Sequence, residues 1–402
     1  MPLDEALAQL LAYARRTGAT EFLSTFDADG RVLASDVFSA LQVPPQDNSS
    51  MDGYALRCVD AQQAGTVLAV SQRIAAGSPA APLQAGTAAR IFTGAPVPAG
   101  ADAVVMQEDC EVLPDSTGLR VHPVPAVGQW IRRAGEDVGL GARVLNGGTR
   151  LSPAALGLAA SIGMDRLEVA RRPRVALFST GDELVMPGEV AVCDMPAGAI
   201  YNSNRFFLRA MLARLGCVVT DLGIVPDRRD ATIAALQDAA GAHDLVLTSG
   251  GVSVGEEDHI KPAVQALGSL NLWQIAIKPG KPFAYGQVGS AHFIGLPGNP
   301  VSSFVTFLLL VRPFLLRLQG ATELAVPQIT LRADFEWHKP DRRREFLRAR
   351  RNHAGGLDVF ANQSSGVLTS AVWADGLVDN PPGMAIQKGD SVQFLPFADL
   401  LG

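Results

Sequence analysis

The sequence predicts a multidomain protein of the α/β plus β class, and three observations support this. Between Arg174 and Leu318, short apolar runs alternate with segments of helical periodicity. From about Ala325 onward, apolar and polar residues alternate between turn signals, which predicts a small all-β domain of sandwich or barrel type. The chain of 402 residues is also longer than one hydrophobic core normally supports.

The segment from Arg174 to Leu318 carries the α/β pattern. The runs RVALFST, CVVTDLGIV and DLVLTSGG are typical of strands, and NRFFLRAMLARLG and RDATIAALQDAAG, which lie between them, have helical spacing. Such alternation predicts a parallel sheet with helices on both faces and a ligand site at the carboxyl ends of its strands.

Two apolar segments bear on membrane association and export. The run from Val301 to Leu318 is interrupted by Arg312 and Pro313 and is shorter than the ~20 residues of a membrane span, so it predicts a buried helix. The N-terminal segment carries Asp4 and Glu5 where a signal peptide would be positively charged. It therefore predicts an amphipathic helix of the mature protein.

Charge and cysteine usage argue against several classes of function. A net charge of -6 disfavours a non-specific nucleic-acid binder, which needs a basic surface. The four cysteines lie far apart and form no C-x-x-C pair, so neither a disulfide framework nor a zinc–thiolate site is indicated. We expect a cytoplasmic protein that binds neither nucleic acid nor membrane.

The region from about Asp47 to Leu145 is rich in strand patterns, Gly and Pro, and has no convincing helix. It is entered through PPQDNSSMDGYALR, residues 44–57, in which Pro, Asp, Asn, Ser and Gly favour tight turns. Turn chemistry accounts for only part of this density of carboxylate and amide groups. We interpret the region as a β-containing module inserted between the N-terminal helix and the α/β part.

The loops at the predicted strand ends carry the candidate chemistry. In TSGGVSVGEEDH, Gly250, Gly251 and Ser253 follow a strand, and an apparent helix begins at the acidic residues that end with Asp258. Amides made accessible by glycine and the positive end of a helix suit a phosphate. A glycine turn with an acidic N-cap explains this loop, taken alone, equally well.

Two further loops favour an anionic ligand. IKPGKPFAYG places Lys278 and Lys281 around a tight turn between two strands, where their ammonium groups suit a phosphate or oxyanion, and a solvated hairpin tip is the alternative. GLPGNPVSS ends another strand, with Pro297 and Pro300 before a helix that opens with Ser302. The pattern G-x-x-x-x-G-K-[ST] is absent, so a nucleotide would be held in another way.

Carboxylates in turns accompany these basic and glycine-rich loops. Because carboxylates repel phosphates unless a hard cation lies between them, the pattern favours a Mg²⁺-assisted reaction at a phosphate. For any single residue, capping or solvation is the commoner role. The carboxylates are Asp47, Asp52, Asp102, Asp137, Asp182, Glu183, Asp227 and Asp258.

Taken together, ordered stretches spread over most of the chain resemble the molybdopterin molybdenumtransferase family, which completes molybdenum cofactor synthesis. One glycine loop would be a weak signal, whereas eight stretches in the same order are specific. They are DNSSMDGYAL, RIFTGAPVPAGADAVVMQED, IRRAGEDV, VALFSTGDEL, YNSNRFFL, TSGGVSVGEEDH, IKPGKPFAYG and GLPGNPVSS, followed by RREFLRAR in the terminal β segment.

The resemblance implies an elongated homodimer with a four-part subunit. A composite linking domain would span residues 1–46 and 146–172, and an inserted β-containing domain residues 47–145. A molybdopterin-binding-type three-layer α/β domain would span residues 173–322, and a C-terminal β-barrel domain residues 325–402.

The resemblance also implies the reaction and its residues. Molybdate is inserted into adenylated molybdopterin, AMP is released, and a divalent cation, expected to be Mg²⁺, is required. A molybdopterin adenylyltransferase would act upstream, and molybdoenzymes would accept the product. The implied catalytic residues are Asp52, Thr93, Asp137, Glu183, Asp227 and Asp258. The implied ligand-binding residues are Gly250, Gly251, Ser253, Lys278, Lys281, Pro297, Pro300, Ser302 and Arg343.

Within these sets, the resemblance implies finer roles. Glu183, Asp227 and Asp258 are the expected metal ligands, whereas the catalytic residues before position 146 are expected to come from the partner subunit. Lysines, serine hydroxyls and Arg343 are suitable partners for molybdate, because it is a tetrahedral dianion.

Two positions depart from the family pattern, and two other functions compete. Gln46 stands where an apolar or aromatic residue is frequent, and His259 where Tyr is usual, so we expect altered pocket packing and an intact reaction. The alternatives are a non-catalytic molybdopterin-binding or scaffold protein, and a molybdopterin adenylyltransferase. The acidic positions and both lysines weigh against the first, and the full-length inserted region and terminal β segment against the second.

Overall fold

The computed structural model of the protein describes residues 1–114, 118–252 and 259–401, and only the backbone of Leu272. The first helix, Leu3–Tyr13, buries Leu3, Ala6 and Leu10 in the largest hydrophobic cluster of the described chain. The predicted amphipathic helix at the N-terminus is therefore confirmed.

Strands that precede the inserted region pair with strands at its C-terminal end and beyond it. Thr20–Ser24 pairs with Arg166–Ala170, and Val37–Phe38 with Arg143–Leu145, both antiparallel. The helix Pro153–Ser161 packs on them and begins at Ser152, whose hydroxyl accepts a hydrogen bond from the Ala155 amide. This pairing agrees with a composite linking unit, while the boundaries of the four-part division stay a prediction.

The inserted region contains a six-stranded sheet. In its described part, the helical elements are short 3-10 turns, Cys58–Asp60 and Gln107–Asp109. The strands, in spatial order, are Ala103–Met106, Gly53–Leu56, Thr87–Ile91, Thr66–Ile74, Gly118–Val121 and Cys110–Val112. A separate two-stranded pair, Asn48–Ser49 with Ile131–Arg132, flanks this sheet.

A second six-stranded sheet, here called the central sheet, forms the α/β part. Its strands, in spatial order, are Val218–Val225, Arg174–Thr180, Leu245–Ser249, Ala291–Leu296, Pro282–Val288 and Gly268–Gln274. The first four are parallel, as predicted. The last two are antiparallel to their neighbours. The two-residue turn Gly289–Ser290 can join Pro282–Val288 to Ala291–Leu296 only in the antiparallel orientation.

Helices cover both faces of the central sheet, which gives three layers. Alternate strand residues point to opposite faces: Leu177 and Leu247 pack with one group of helices, and Phe178 and Val246 with the other. The first group is Leu3–Tyr13, Asn204–Arg214 and the helix from Pro300 to Leu318; the second is Arg229–Ala242 and Ile260–Leu267.

The helix from Pro300 to Leu318 is buried. Its length and composition would suffice to cross a membrane, but 89% of its most apolar stretch lies inside the fold. The buried helix predicted from this run is therefore confirmed, and it continues past Arg312 and Pro313 through a wide turn of π-helical type, Phe307–Val311. Such a turn accommodates the missing amide and the ring of Pro313.

The terminal segment forms a closed barrel, as predicted. Its five strands, in spatial order, are Arg344–Arg351, Gly356–Val359, Ile329–Ala333, Ser391–Pro396 and Gly376–Asn380, and the last pairs again with the first. Two short helices, Thr369–Trp373 and Phe397–Leu401, accompany the barrel. Ile277–Lys278 also pairs with Arg344–Arg351, so the turn bearing the two lysines connects the barrel to the central sheet.

Candidate active site

A cavity of about 680 Å³ opens at the carboxyl ends of the parallel strands of the central sheet. Three strand-end loops form half of its wall: residues 179–181, 249–252 and 297–300. This is the crevice in which open α/β sheets bind ligands. Gly366, which belongs to the terminal barrel segment, also lines this cavity. We call it the strand-end cavity.

Glycine is required where two of these loops approach each other. Gly250 and Gly251 have φ angles of +96° and +66°, and a Cβ on Gly250 would lie 2.9 Å from the Thr180 carbonyl oxygen. The Gly250 amide donates to the Leu296 carbonyl at 3.0 Å, so it holds neighbouring strand ends together. This amide is engaged within the fold, while Gly250 itself lines the strand-end cavity and its ligand-binding role stays a prediction.

Several polar side chains of the cavity lack partners among the described residues. The Ser179 hydroxyl and the Asn202 side-chain amide nitrogen are buried without a hydrogen bond. Buried polar groups normally have partners, so both are suited to contact a ligand. The Asn204 side chain donates to the Ser249 hydroxyl and to the Gly298 carbonyl, both at 2.7 Å, and fixes two loops.

The expected carboxylates are only partly brought together. Glu183 and Asp227 both line the strand-end cavity. Gly181, at φ +143°, lets the Glu183 carboxylate lie close, because a Cβ there would be 2.5 Å from Oε2. Asp258 and Ser253 lie outside the described residues. Among residues 1–114, 118–252 and 259–401, no cluster of three or more His, Cys, Asp or Glu side chains is arranged to hold a metal.

The remaining expected ligand-binding residues divide into two groups. Pro297, Pro300 and Ser302 line the strand-end cavity. Lys278, Lys281 and Arg343 do not, because the turn that carries the lysines leads toward the terminal barrel.

Carboxylates of the terminal barrel hold two of these three cations. The Lys278 ammonium lies 3.2 Å from Oε1 of Glu345 and 3.5 Å from Oδ2 of Asp341. The Arg343 guanidinium donates two hydrogen bonds of 2.9 Å to Asp341. These bonds hold the pKa of the Asp341 carboxyl below its usual range. Lys281 is exposed and has no partner in the described chain.

Asp52 and Thr93 form a separate pair in the inserted region. Oδ1 of Asp52 accepts hydrogen bonds of 2.8 Å from both the amide and the hydroxyl of Thr93. These two bonds lower the pKa of Asp52, so it stays ionised at neutral pH. Asp137 is exposed and is not part of this pair, and none of the three residues lines the strand-end cavity.

Sequence reasoning missed Ser179, Asn202 and Asn204. All three lie in stretches that carry the family resemblance, VALFSTGDEL and YNSNRFFL. Asn202 and Asn204, which precede a helical pattern, were the available signal. Amides buried at a strand end need hydrogen-bond partners, so the pair could have been predicted to lie at the site.

The fold and the strand-end cavity define a multidomain protein with a molybdopterin-binding-type α/β domain. Three family descriptions match consecutive parts of the chain. Residues 1–163 match the MoeA N-terminal region (domain I and II), residues 176–317 a probable molybdopterin binding domain, and residues 330–397 the MoeA C-terminal region (domain IV).

Full-length relatives and a solved structure agree with these matches. The chain is 40% identical to the molybdopterin molybdenumtransferase of Haemophilus influenzae over 100% of both chains. It is 31% identical to that of Bacillus subtilis over 98% of this chain and 94% of that one. A molybdopterin biosynthesis protein from Pyrococcus horikoshii superposes with a TM-score of 0.85 at 28% identity, covering 98% and 99% of the two chains. The chain belongs to the molybdopterin molybdenumtransferase family, a family of transferases in molybdenum cofactor biosynthesis.

Proposed function

We propose that the chain inserts molybdate into adenylated molybdopterin and releases AMP, giving molybdenum cofactor. The strand-end cavity carries this proposal, because it combines two carboxylates with unpartnered buried donors in a domain of the molybdopterin-binding type. A scaffold that binds no pterin would not require these donors, and a non-catalytic pterin-binding protein would not require the two carboxylates. A molybdopterin adenylyltransferase would not require the inserted sheet and the barrel.

The residues of the cavity fit the substrate's charge and polarity. Ser179, Asn202 and Ser302 would donate to phosphate and pterin oxygens, while Gly251 and Pro297 shape the wall. Lys278, Lys281 and Arg343 would attract the molybdate dianion from the barrel side. Ser253 and Asp258 complete the proposed set.

Mg²⁺ fits the donors that are present. Glu183 and Asp227 offer hard oxygen ligands at the cavity, and Mg²⁺ commonly uses one or two carboxylates together with substrate phosphates. When bound, the ion would neutralise charge on the phosphoanhydride. The two carboxylates would hold it, with Asp258 as the third expected ligand.

A second copy of the chain would complete the site. Asp52, Thr93 and Asp137 do not line the cavity of their own chain. Phe26 is 97% exposed beside an open apolar cavity of about 950 Å³, which is formed with residues of the helix Pro153–Ser161. Exposed apolar patches of this kind mark protein interfaces. A homodimer would cover this face and could bring the acidic group of one copy to the cavity of the other.

The proposed reaction places the protein between two others in the cytoplasm. An adenylyltransferase must supply the adenylated pterin, and molybdoenzymes must consume the cofactor.

AMP release from adenylated molybdopterin by the purified full chain tests the proposal. We expect release that requires both molybdate and Mg²⁺ and that Asp227→Asn reduces at least ~100-fold, by loss of a metal-binding charge. Asp230→Asn is the matched control, since Asp230 is exposed beside the same loop and pairs only with Arg228 in the described chain. Tight pterin binding without AMP release would favour the scaffold function, whereas consumption of ATP to form the adenylated pterin would favour the adenylyltransferase.

A further inference from the structure

A second polar cleft lies at the opposite end of the central sheet. It has a volume of about 290 Å³ and is formed where the strands Arg174–Thr180, Leu245–Ser249 and Ala291–Leu296 begin. The strand-end cavity lies where these strands end, so the two sites are on opposite edges of the sheet. We call it the basal cleft.

Positive charge dominates the basal cleft. Among the described residues, its lining includes the guanidinium groups of Arg15, Arg171 and Arg174 and one carboxylate, that of Asp244. The cleft therefore has two positive charges in excess, in a chain whose net charge is -6. The carbonyl end of the helix Arg229–Ala242 also borders the cleft, but its dipole corresponds to only about half a negative charge.

The single carboxylate orients two of the arginines. Asp244 accepts hydrogen bonds from Nη2 of Arg171 at 3.1 and 3.2 Å, from Nη2 of Arg174 at 3.2 Å and from the Arg174 amide at 2.8 Å. Burial opposes ionisation of Asp244, but these hydrogen bonds outweigh it and lower its pKa. Each guanidinium has five N–H groups, so both arginines retain donors for a further acceptor.

Arg15 supplies a cation that nothing in the described chain neutralises. It follows the first helix, is exposed, and has no side-chain hydrogen bond or ion pair with another described residue. The hydroxyls of Thr17 and Ser290 add neutral donors at the same cleft. Planar guanidinium groups are well suited to bind the oxygens of phosphate-like anions.

We propose that the basal cleft binds a small dianionic oxyanion, either inorganic phosphate or the phosphate group of a small ester. The cleft volume of about 290 Å³ is just below the ~300 to 1,000 Å³ of sites for drug-sized ligands, which favours a ligand as small as phosphate. The anion would bridge Arg15, at the end of the first helix, to Arg171 and Arg174 at the edge of the central sheet. It would therefore stabilise the packing of the N-terminal segment on the α/β part.

Equilibrium dialysis with inorganic phosphate tests the proposal on the full chain. The measurements are made in a Lys281→Gln background, because the strand-end region also carries unpaired positive charge. We expect saturable binding of one phosphate per chain, weakened about tenfold by Arg15→Gln through loss of one charge-assisted contact. Arg174→Gln should weaken it further. Arg209→Gln is the matched control, since it removes an exposed arginine of the α/β part outside the basal cleft.

The phosphate-binding measurements have distinct expected and contrary outcomes. Absence of saturable phosphate binding, or equal weakening by Arg209→Gln and Arg15→Gln, would overturn the proposal. A parallel series with glycerol 3-phosphate distinguishes the two sources of the anion, because a tighter complex with the ester identifies a phosphate ester and a weaker one identifies the free ion. Phosphate binding is measured without the transferase reaction. A chain that fails to release AMP could therefore still bind phosphate in the basal cleft, and the two proposals are tested independently.

Discussion

The ammonium nitrogen of Lys278 lies 3.2 Å from Oε1 of Glu345, which joins a lysine of the α/β part to a carboxylate of the terminal barrel. The Glu345 side chain is only 1% exposed and also accepts hydrogen bonds from the Trp337 indole at 2.9 Å and the Asp341 amide at 3.1 Å. Because the barrel holds Glu345 in place, it also holds Lys278. The position of this expected anion-binding lysine thus depends on contact between two parts of the chain.

Replacement of this buried carboxylate tests that dependence. Glu345→Gln removes the charge that pairs with Lys278 and disturbs a buried network, so we expect a loss of about 1 to 3 kcal/mol in the free energy of unfolding. The KM for molybdate should rise more than kcat falls, since the lysine would be displaced rather than removed. Asp399→Asn, at an exposed carboxylate of the last helix, is the control. Unchanged stability and KM would contradict a positioning role for Glu345.

The Asp52–Thr93 pair allows a graded test of the inserted region. Thr93→Ala removes one of the two hydrogen bonds to Oδ1 of Asp52 and leaves the amide bond intact. We therefore expect a partial loss of AMP release, about tenfold, as for one lost hydrogen bond to a charged group. Thr93→Ser retains the hydroxyl and should restore most of the activity. Equal rates for the alanine and serine variants would show that the hydroxyl has no such role.

Local patterns predicted the elements better than their connections. Apolar runs and helical spacing identified the strands Arg174–Thr180 and Leu245–Ser249 and the helix Asn204–Arg214, because burial of one face fixes those periods. After Gly268 the strands of the central sheet pair antiparallel. The short turn at Gly289 was the sequence signal for this change, but the α/β alternation led to a prediction of parallel strands.

The site was predictable in composition but not in geometry. Glu183, Asp227 and Ser302 lie at the strand-end cavity because strand ends converge, a general property of parallel sheets. The ion pair between Lys278 and Glu345 joins residues that are 67 positions apart in the sequence, so no local sequence pattern predicts it. The unpartnered Ser179 hydroxyl and Asn202 amide nitrogen likewise become evident only once the neighbouring loops are placed.

Acid should destabilise the barrel through the Asp341–Arg343 ion pair. The hydrogen bonds from Arg343 lower the folded-state pKa of Asp341 below its ordinary value of 3.8. A lowered folded-state pKa contributes stability that is complete well above pH 3.8 and is lost as the pH falls below it. Arg343→Gln should therefore reduce the unfolding free energy at pH 7 and have a smaller effect at pH 3.

Urea unfolding followed by tryptophan fluorescence at both pH values measures this difference. Arg342→Gln, at the exposed neighbouring arginine, is the control, since it removes the same charge without a bond to Asp341. An equal loss of stability at pH 7 and pH 3 in Arg343→Gln would contradict the assigned ion pair.

The exposed Phe26 ring predicts how the chain associates. Phe26 is 97% exposed and lines the apolar cavity that includes Leu156 and Met164. Burial of such rings against a second copy is worth roughly 1.5 to 3 kcal/mol per side chain, and a twofold interface counts each contact twice. Phe26→Ser should therefore raise the dimer dissociation constant at least ~100-fold, as measured by analytical ultracentrifugation.

The same variant connects assembly to the proposed reaction. Because Asp52 and Thr93 do not reach the strand-end cavity of their own chain, loss of the dimer should reduce AMP release in proportion to the monomer fraction. Raising the protein concentration should restore the activity of Phe26→Ser, which a direct effect on chemistry would not allow. Val372→Ser, at a residue of the barrel that is 83% exposed, is the control for surface polarity. A monomeric Phe26→Ser variant with full activity would show that each chain contains a complete site.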